Sequence, residues 1–149
     1  MRVVIGSDHA GFELKQQLVS HLERAGHIVV DVGTDSEDPV DYPDFAAAVG
    51  RAVIAGEGKR GIIVCGSGAG GSIAANKITG IRSAVVHDNY TAHQAVEHDD
   101  MNVLSLGGRV IGINAATEIV DTYLQAEFTA EDRHSRRLRK VIELDRNRG

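Results

Sequence analysis

Short, continuous apolar runs alternate with longer amphipathic stretches along this chain, and this alternation constrains the fold more than any other feature. None of the runs alternates apolar with polar residues, which is typical of strands in a parallel sheet covered on both faces. The runs predict five strands, at residues 3–5, 28–30, 61–65, 83–86 and 102–106. The stretches between them have helical spacing and predict helices at residues 11–24, from 43 onward, and at 72–77, 90–97, 113–124 and 132–146.

Strands that alternate with helices in this way form βαβ units. The sequence therefore predicts an α/β fold of the open doubly wound, Rossmann-like type. We expect a parallel five-stranded sheet with helices on both faces and an extended C-terminal helix. No internal repeat or linker is found in residues 1–149, which predicts a single domain. Because ligands of such folds bind beyond the carboxyl ends of the strands, the residues that follow each strand are the candidates for chemistry.

The composition excludes several classes of protein. The single cysteine rules out a disulfide framework and favours a reducing compartment. There is no run of 18 apolar residues, and the apolar stretch at the N-terminus is too short for a signal peptide, so we expect a cytoplasmic protein with no membrane contact. A net charge of −5 argues against nucleic acid as a partner.

The charge is unevenly distributed. Residues 133–149 contain seven basic and two acidic side chains, and the rest of the chain has nine basic and 19 acidic ones. Arg133 and Arg137 stand four residues apart on the predicted C-terminal helix, where they share a face. Paired guanidinium groups suit phosphate oxygens. The alternative is a solvated basic helix that binds the acidic body electrostatically.

The loop after the third predicted strand is rich in glycine. Gly66-x-Gly68-x-x-Gly71 formally matches a dinucleotide-binding fingerprint, and Asp88 lies about 20 residues further on. The match falls on the third strand, however, and the chain has no room for a separate substrate domain. The second possibility is an anion hole, in which backbone N–H groups and the Ser67 hydroxyl bind a phosphate or a developing oxyanion. The third is a tight turn that binds nothing.

Cys65 stands directly before this loop. Free cysteines are usually buried and inert. A helix N-terminus and a donor-rich backbone favour the thiolate form of a cysteine, however, and a thiolate acts as a nucleophile or as a base. Cys65 is therefore the first candidate for a catalytic residue.

Other polar residues follow or precede strands. Asp8 and His9 follow the first strand, where Asp8 could equally cap the next helix. His98 and Asp99 precede the fifth strand, where a solvated polar loop is the alternative. The histidines and aspartates between residues 87 and 98 lack the spacing of a metal site, so we expect no metal.

Taken together, these residues resemble the type B ribose-5-phosphate isomerase family, which also includes galactose-6-phosphate and allose-6-phosphate isomerases. The resemblance covers nearly the whole chain in family order. Its motifs are Gly6-Ser7-Asp8-His9-Ala10-Gly11, Asp41-Tyr42-Pro43, Ile63-Val64-Cys65-Gly66-Ser67-Gly68, Ile73-Ala74-Ala75-Asn76-Lys77, Gly80-Ile81-Arg82, Asn102-Val103-Leu104, Gly107-x-Arg109-Val110-x-Gly112 and Arg133-His134-x-x-Arg137.

The resemblance implies an aldose–ketose isomerase that works through an enediolate, without metal or organic cofactor. Cys65 would be the base, and His98 would assist the opening of the sugar ring, with Asp8 nearby. The enediolate oxygens would be held by the loop residues Gly66, Ser67, Gly68, Ala69 and Gly70. The phosphate and the chain hydroxyls would be held by His9, Arg109, Arg133 and Arg137.

The resemblance further implies a homodimer or a dimer of dimers, with the site between subunits and the C-terminal helix reaching across. Two positions depart from the family. A second subgroup uses a glutamate where this chain has Gly71, so Cys65 has no evident substitute. Asp99 stands at a position that the resemblance assigns to substrate binding and where asparagine is common, and an ionised Asp99 would repel an enediolate. The motifs leave open whether the sugar phosphate has five or six carbons, and a non-catalytic nucleotide-binding module remains the alternative from another class.

Overall fold

The computed structural model describes residues 1–148 and has one five-stranded sheet with six helices. The strands are β1 (Arg2–Ser7), β2 (Ile28–Asp31), β3 (Arg60–Cys65), β4 (Ser83–Val85) and β5 (Val103–Gly107). The helices are α1 (Phe12–Arg24), α2 (Tyr42–Ile54), α3 (Ala69–Ala75), α4 (Asn89–Asp99), α5 (Ile113–Gln125) and α6 (Asp132–Arg146). This confirms the predicted number and order of elements.

All strand pairs are parallel, in the order β2-β1-β3-β5-β4. Successive side chains of a strand point to opposite faces, and both faces of this sheet are covered. In β3, Ile62 and Val64 pack with α1, α4 and α5, whereas Ile63 packs with α2 and α3. The continuous apolar runs of the sequence follow from this arrangement, and the predicted doubly wound α/β fold is confirmed.

The strand order reverses direction at β1, because β2 lies on one side of it and β3 on the other. Ligands of doubly wound folds bind in the crevice at such a switch point. Here the crevice is formed by the residues after Ser7 and Val64, which are paired in the sheet. Gly11 packs directly against the end of β3. A Cβ at that position would stand 2.3 Å from the Val64 carbonyl oxygen, so only glycine lets α1 start there.

Two predicted boundaries were wrong. The helix expected at residues 72–77 is α3, which begins at Ala69, directly after the left-handed Gly68 with φ +87°. Residues His98 and Asp99 are not in a loop but form the last turn of α4. Within residues 1–148, no helix is long and apolar enough to cross a membrane.

Candidate active site

Cys65 is the last residue of β3 and directly precedes the glycine-rich loop. Its side chain is 4% exposed, and its Sγ accepts a hydrogen bond of 3.2 Å from the Gly68 N–H. The Ser105 hydroxyl of the neighbouring strand β5 donates to the Gly68 carbonyl oxygen over 2.6 Å. The loop is thus held in a turn that brings the Gly68 N–H to the thiol.

The turn after β5 holds the same loop from the other side. The Gly108 N–H donates to the Cys65 carbonyl over 2.7 Å, and the Arg109 N–H donates to the Gly66 carbonyl over 3.0 Å. The Arg109 guanidinium lies over Gly66, where a Cβ would stand 3.4 Å from its Nη1. These contacts place a permanent positive charge beside the thiol-bearing loop.

Asp8 and His9 reach the crevice from the end of β1. Asp8 is buried, and its Oδ1 accepts the Gly11 N–H over 3.0 Å, so its carboxylate orients the turn that enters α1. His9 Nδ1 accepts the Val40 N–H over 3.1 Å. Because Nδ1 accepts, the neutral ring has its hydrogen on Nε2, which is then a donor for a phosphate or hydroxyl oxygen.

A cleft of about 380 Å³ opens between these elements. It is lined by Asp8, Tyr42, Cys65, Gly66, Ser67, Gly70, Arg109 and Val110. The structure therefore brings together the predicted base, three of the predicted loop residues, Asp8 and Arg109. Ala69 is the first residue of α3, and its N–H donates to the Ser67 hydroxyl over 3.2 Å.

Tyr42 and Val110 line the cleft although we predicted no role for either. The Tyr42 ring lies on Gly70, where a Cβ would stand 2.7 Å from two of its carbons. Both residues are exposed to solvent, Tyr42 over 41% of its surface and Val110 over 57%. The sequence offered one signal for each, because both belong to motifs of the family resemblance.

His98, Asp99, Arg133 and Arg137 do not line this cleft. Helix α4 starts after the carboxyl end of β4 and runs back to the amino end of β5, so His98 lies at the amino edge of the sheet. The Asn102 carbonyl, just beyond it, accepts the N–H of Gly61 at the start of β3. Cys65 is at the opposite end of β3, and six strand residues span roughly 20 Å. Within one chain, the predicted ring-opening residue is thus remote from the predicted base.

His98 lies instead against α6. Its ring stacks on the ring of His134, with centroids 4.0 Å apart and an angle of 26° between the planes. Burial lowers the pKa of His134 below its usual value, and the nearby His98 and Arg133 lower it further. Arg133 and Arg137 are both exposed on this helix, and Arg133 is paired with Glu131 over 2.7 Å.

Asp99 lines a different cavity, of about 410 Å³, beneath α6. The far end of α6 is attached there, because the Asp145 carboxylate accepts the Gly80 N–H over 2.7 Å. This hydrogen bond, with the neighbouring Arg148, holds the pKa of Asp145 below its usual value. The substrate-contacting role that we predicted for Asp99 therefore has no support within a single chain.

Asp88, which suggested a dinucleotide site, caps α4. Its Oδ1 accepts the Thr91 N–H over 2.7 Å, and this bond lowers the pKa of Asp88. The adjacent His87 accepts the Gly107 N–H at Nε2 over 2.9 Å, and partial burial lowers the pKa of His87. These polar groups hold the local backbone. Among residues 1–148, no three His, Cys, Asp or Glu side chains form a group that could hold a metal ion.

A thiol, a glycine-rich loop and an arginine thus lie at the switch point of a doubly wound sheet, which is where small α/β enzymes carry their active sites. The family model described as Ribose/Galactose Isomerase matches residues 3–141. The chain belongs to this family.

Similar proteins cover the whole chain. Ribose-5-phosphate isomerase B of Escherichia coli strain K12 is 42% identical over 147 residues, which are 99% of this chain and 98% of that protein. A solved structure of ribose-5-phosphate isomerase B from Clostridium thermocellum is 47% identical, with a TM-score of 0.97 over 100% of both chains. The structure of the Mycoplasma genitalium protein with bound ribulose-5-phosphate is 38% identical, with a TM-score of 0.91 over 98% of this chain and 97% of that one.

Proposed function

We propose that this protein interconverts ribose 5-phosphate and ribulose 5-phosphate, with Cys65 as the base. The observation that carries this proposal is that Cys65 lines a 380 Å³ cleft, with its Sγ beside the Gly68 N–H. The family, the similar enzymes and the related structure with bound ribulose-5-phosphate support the substrate. The dinucleotide-binding alternative loses its support, because Asp88 serves as a helix cap.

The cleft suits proton transfer through an enediolate. The Cys65 thiolate takes the proton from C2 of the open-chain aldose and returns it to C1 of the enediolate, while the proton of the O2 hydroxyl passes to O1, which gives the ketose. The electron pair released at C2 moves onto the carbonyl oxygen, where negative charge develops. Backbone donors aimed at such an oxygen are each worth about 10²–10³ in rate. The candidate donors belong to the loop, because Ser67 and Gly70 line the cleft and the Gly68 N–H lies beside the thiol.

The phosphate end of the substrate needs positive charge and hydrogen-bond donors. In the cleft, Arg109 supplies a guanidinium. His9 does not line the cleft, but it directly follows the lining residue Asp8 after β1 and offers an Nε2–H as a donor. Arg133 and Arg137 stand on α6, away from this cleft, so they bind the phosphate only if another chain presents them.

We infer that the active unit is a homodimer, or a pair of dimers, in which each cleft is completed by α4 and α6 of a second copy. The separation of His98 from Cys65 within one chain carries this inference. The side chains of Tyr42 and Val110 are large apolar groups exposed at the cleft, which suits a covered face. Such an arrangement would bring the ring-opening histidine and two arginines to the thiol.

The proposed function is tested by assaying the purified protein on ribose 5-phosphate and allose 6-phosphate side by side, with EDTA present. We expect turnover of ribose 5-phosphate that EDTA does not reduce. Preference for allose 6-phosphate would assign the chain to the six-carbon branch of the family. No turnover of either sugar, combined with tight binding of NAD or ADP in calorimetry, would contradict the proposal.

A further inference from the structure

His134 is the one residue of α6 that is fully buried, and the reaction described above gives it no role. Its residue surface is 2% exposed, while Arg133 and Arg137 on the same helix are exposed. Its ring covers one face of the His98 ring at 4.0 Å. Because buried side chains are closely packed and hold one orientation, this contact restricts the rotation of His98.

A short hydrogen-bonded chain holds His134 in turn. Its Nδ1 lies 2.6 Å from the Thr129 Oγ1, and the Thr129 hydroxyl donates to the Glu97 carbonyl over 3.1 Å. The hydroxyl has one hydrogen and the carbonyl can only accept, so Nδ1 of His134 donates to Oγ1. The Thr129 N–H donates to the same carbonyl over 3.1 Å. His134 is thereby tied to the backbone of the residue next to His98.

We propose that His134 is a positioning residue for ring opening, which holds the His98 imidazole in the orientation that this step needs. The inference rests on the proposed function. In ring opening, the anomeric hydroxyl loses its proton, C1=O forms as the C1–O4 bond breaks, and O4 gains a proton, so the number of protons is unchanged. A group that moves these protons must lie within hydrogen-bond reach of the sugar oxygens. His134 itself contacts no substrate and acts through His98.

Two measurements separate ring opening from the later proton transfer. Net conversion of ribose 5-phosphate starts from a closed furanose ring and needs both steps. Exchange of solvent deuterium into C1 of ribulose 5-phosphate starts from an open chain and needs only the base and the enediolate. A positioning role for His134 affects the first measurement, whereas general damage to the fold lowers both.

We expect His134→Ala to lower net conversion by about 10-fold to 100-fold and to leave the deuterium exchange within about twofold of wild type. His134→Phe keeps a flat ring against His98 and should recover most of the conversion. The matched control is His93→Ala. His93 is also a histidine of α4, but it contacts Tyr90 and Glu97 of the same helix. This variant should leave both measurements unchanged.

A double variant tests whether His134 acts through His98. His98→Ala alone should show the same pattern, with conversion reduced and exchange kept. If His134 only positions His98, adding His134→Ala to His98→Ala should cause no further loss.

Equal losses of conversion and exchange in His134→Ala would overturn the inference, as would additive losses in the double variant or no recovery in His134→Phe. Failure of the proposed function is a separate outcome, because the wild-type protein would then show neither conversion nor exchange.

Discussion

The Ser105 hydroxyl on β5 donates a 2.6 Å hydrogen bond to the Gly68 carbonyl, and both groups are buried. This bond crosses from one strand to the loop after its neighbour. It holds Gly68, whose backbone is in the left-handed region with φ +87°. The N–H of the same residue points at the Cys65 Sγ. Ser105 therefore fixes the position of the residue whose N–H lies nearest the thiol.

Removing this hydroxyl should impair catalysis. In Ser105→Ala the buried Gly68 carbonyl loses one of its two donors and keeps the Ser72 N–H at 3.1 Å, so the loss costs about 0.5–1.5 kcal/mol of stability. We expect a kcat about tenfold lower with a smaller change in KM, because a misplaced oxyanion donor acts on the transition state. The matched control is Ser83→Ala, since within residues 1–148 the buried Ser83 hydroxyl has no hydrogen-bond partner. An unchanged kcat in Ser105→Ala would contradict this reading of the loop.

Replacing Cys65 by alanine should remove the base. Loss of a general base lowers the rate by about 10²–10⁴, so both conversion of ribose 5-phosphate and deuterium exchange into ribulose 5-phosphate should nearly vanish. Binding of ribulose 5-phosphate, followed by calorimetry, should be largely retained because the loop backbone and Arg109 are untouched. Full activity in Cys65→Ala would remove the cysteine from the mechanism.

A shared site predicts recovery of activity when two inactive variants are mixed. In a dimer of Cys65→Ala with His98→Ala, one cleft combines both defects and the other has neither. After unfolding and refolding of an equal mixture, about a quarter of the clefts should be complete for random pairing. The recovered activity is compared with that of each variant refolded alone. If each chain holds a complete site, mixing should restore nothing.

The arginines of α6 should act on binding more than on chemistry. Arg133→Ala and Arg137→Ala each remove a charge proposed to hold the phosphate, so steady-state kinetics should show a raised KM and a nearly unchanged kcat. Arg139→Ala is the matched control, because Arg139 is exposed on the same helix but stands six residues after Arg133 and two after Arg137, which puts it on a different face from that pair. Unchanged KM in both test variants would exclude them from the phosphate site.

Stability should decrease as the pH falls through the range in which histidine titrates. Burial lowers the pKa of His134 and of His87 below 6.5 in the folded protein. As the pH falls, these two histidines are therefore protonated in the unfolded chain before they are protonated in the folded one. The free energy of unfolding should therefore fall as the pH drops below about 6.5, and level off below the native pKa values. His134→Gln should make this decrease shallower in urea unfolding between about pH 7.5 and pH 5.5. An unaltered slope would contradict the assignment.

Much of the fold was predictable because its signals are local. Continuous apolar runs indicated strands covered on both faces, and Ile62, Ile63 and Val64 show why, since neighbours on one strand pack into different cores. The start of α3 was missed because glycine disfavours helices. Here Gly70 lies under the Tyr42 ring and Gly71 lies against Ser105 and Cys65. The second and third residues of the helix are therefore glycines, because the neighbouring side chains leave no room for a Cβ.

The sequence predicted less well which of the candidate site residues lie close together. Asp8 and Cys65 could be placed at one edge because each follows a strand, and the structure puts both on the cleft. His98 precedes a strand, which puts it at the other edge. Tyr42 and His134 could not be assigned roles, because the packing of one against Gly70 and of the other against His98 joins segments distant in the chain.

The sequence by itself determined the fold class and the family and proposed residues for the chemistry, because these depend on periodicity, on residue type and on spacing along the chain. Only the tertiary structure decided which of those residues meet. The strand order β2-β1-β3-β5-β4 brings Asp8 to the thiol, and the return path of α4 takes His98 away from it. Such distances depend on how the elements pack against one another, which no local pattern specifies.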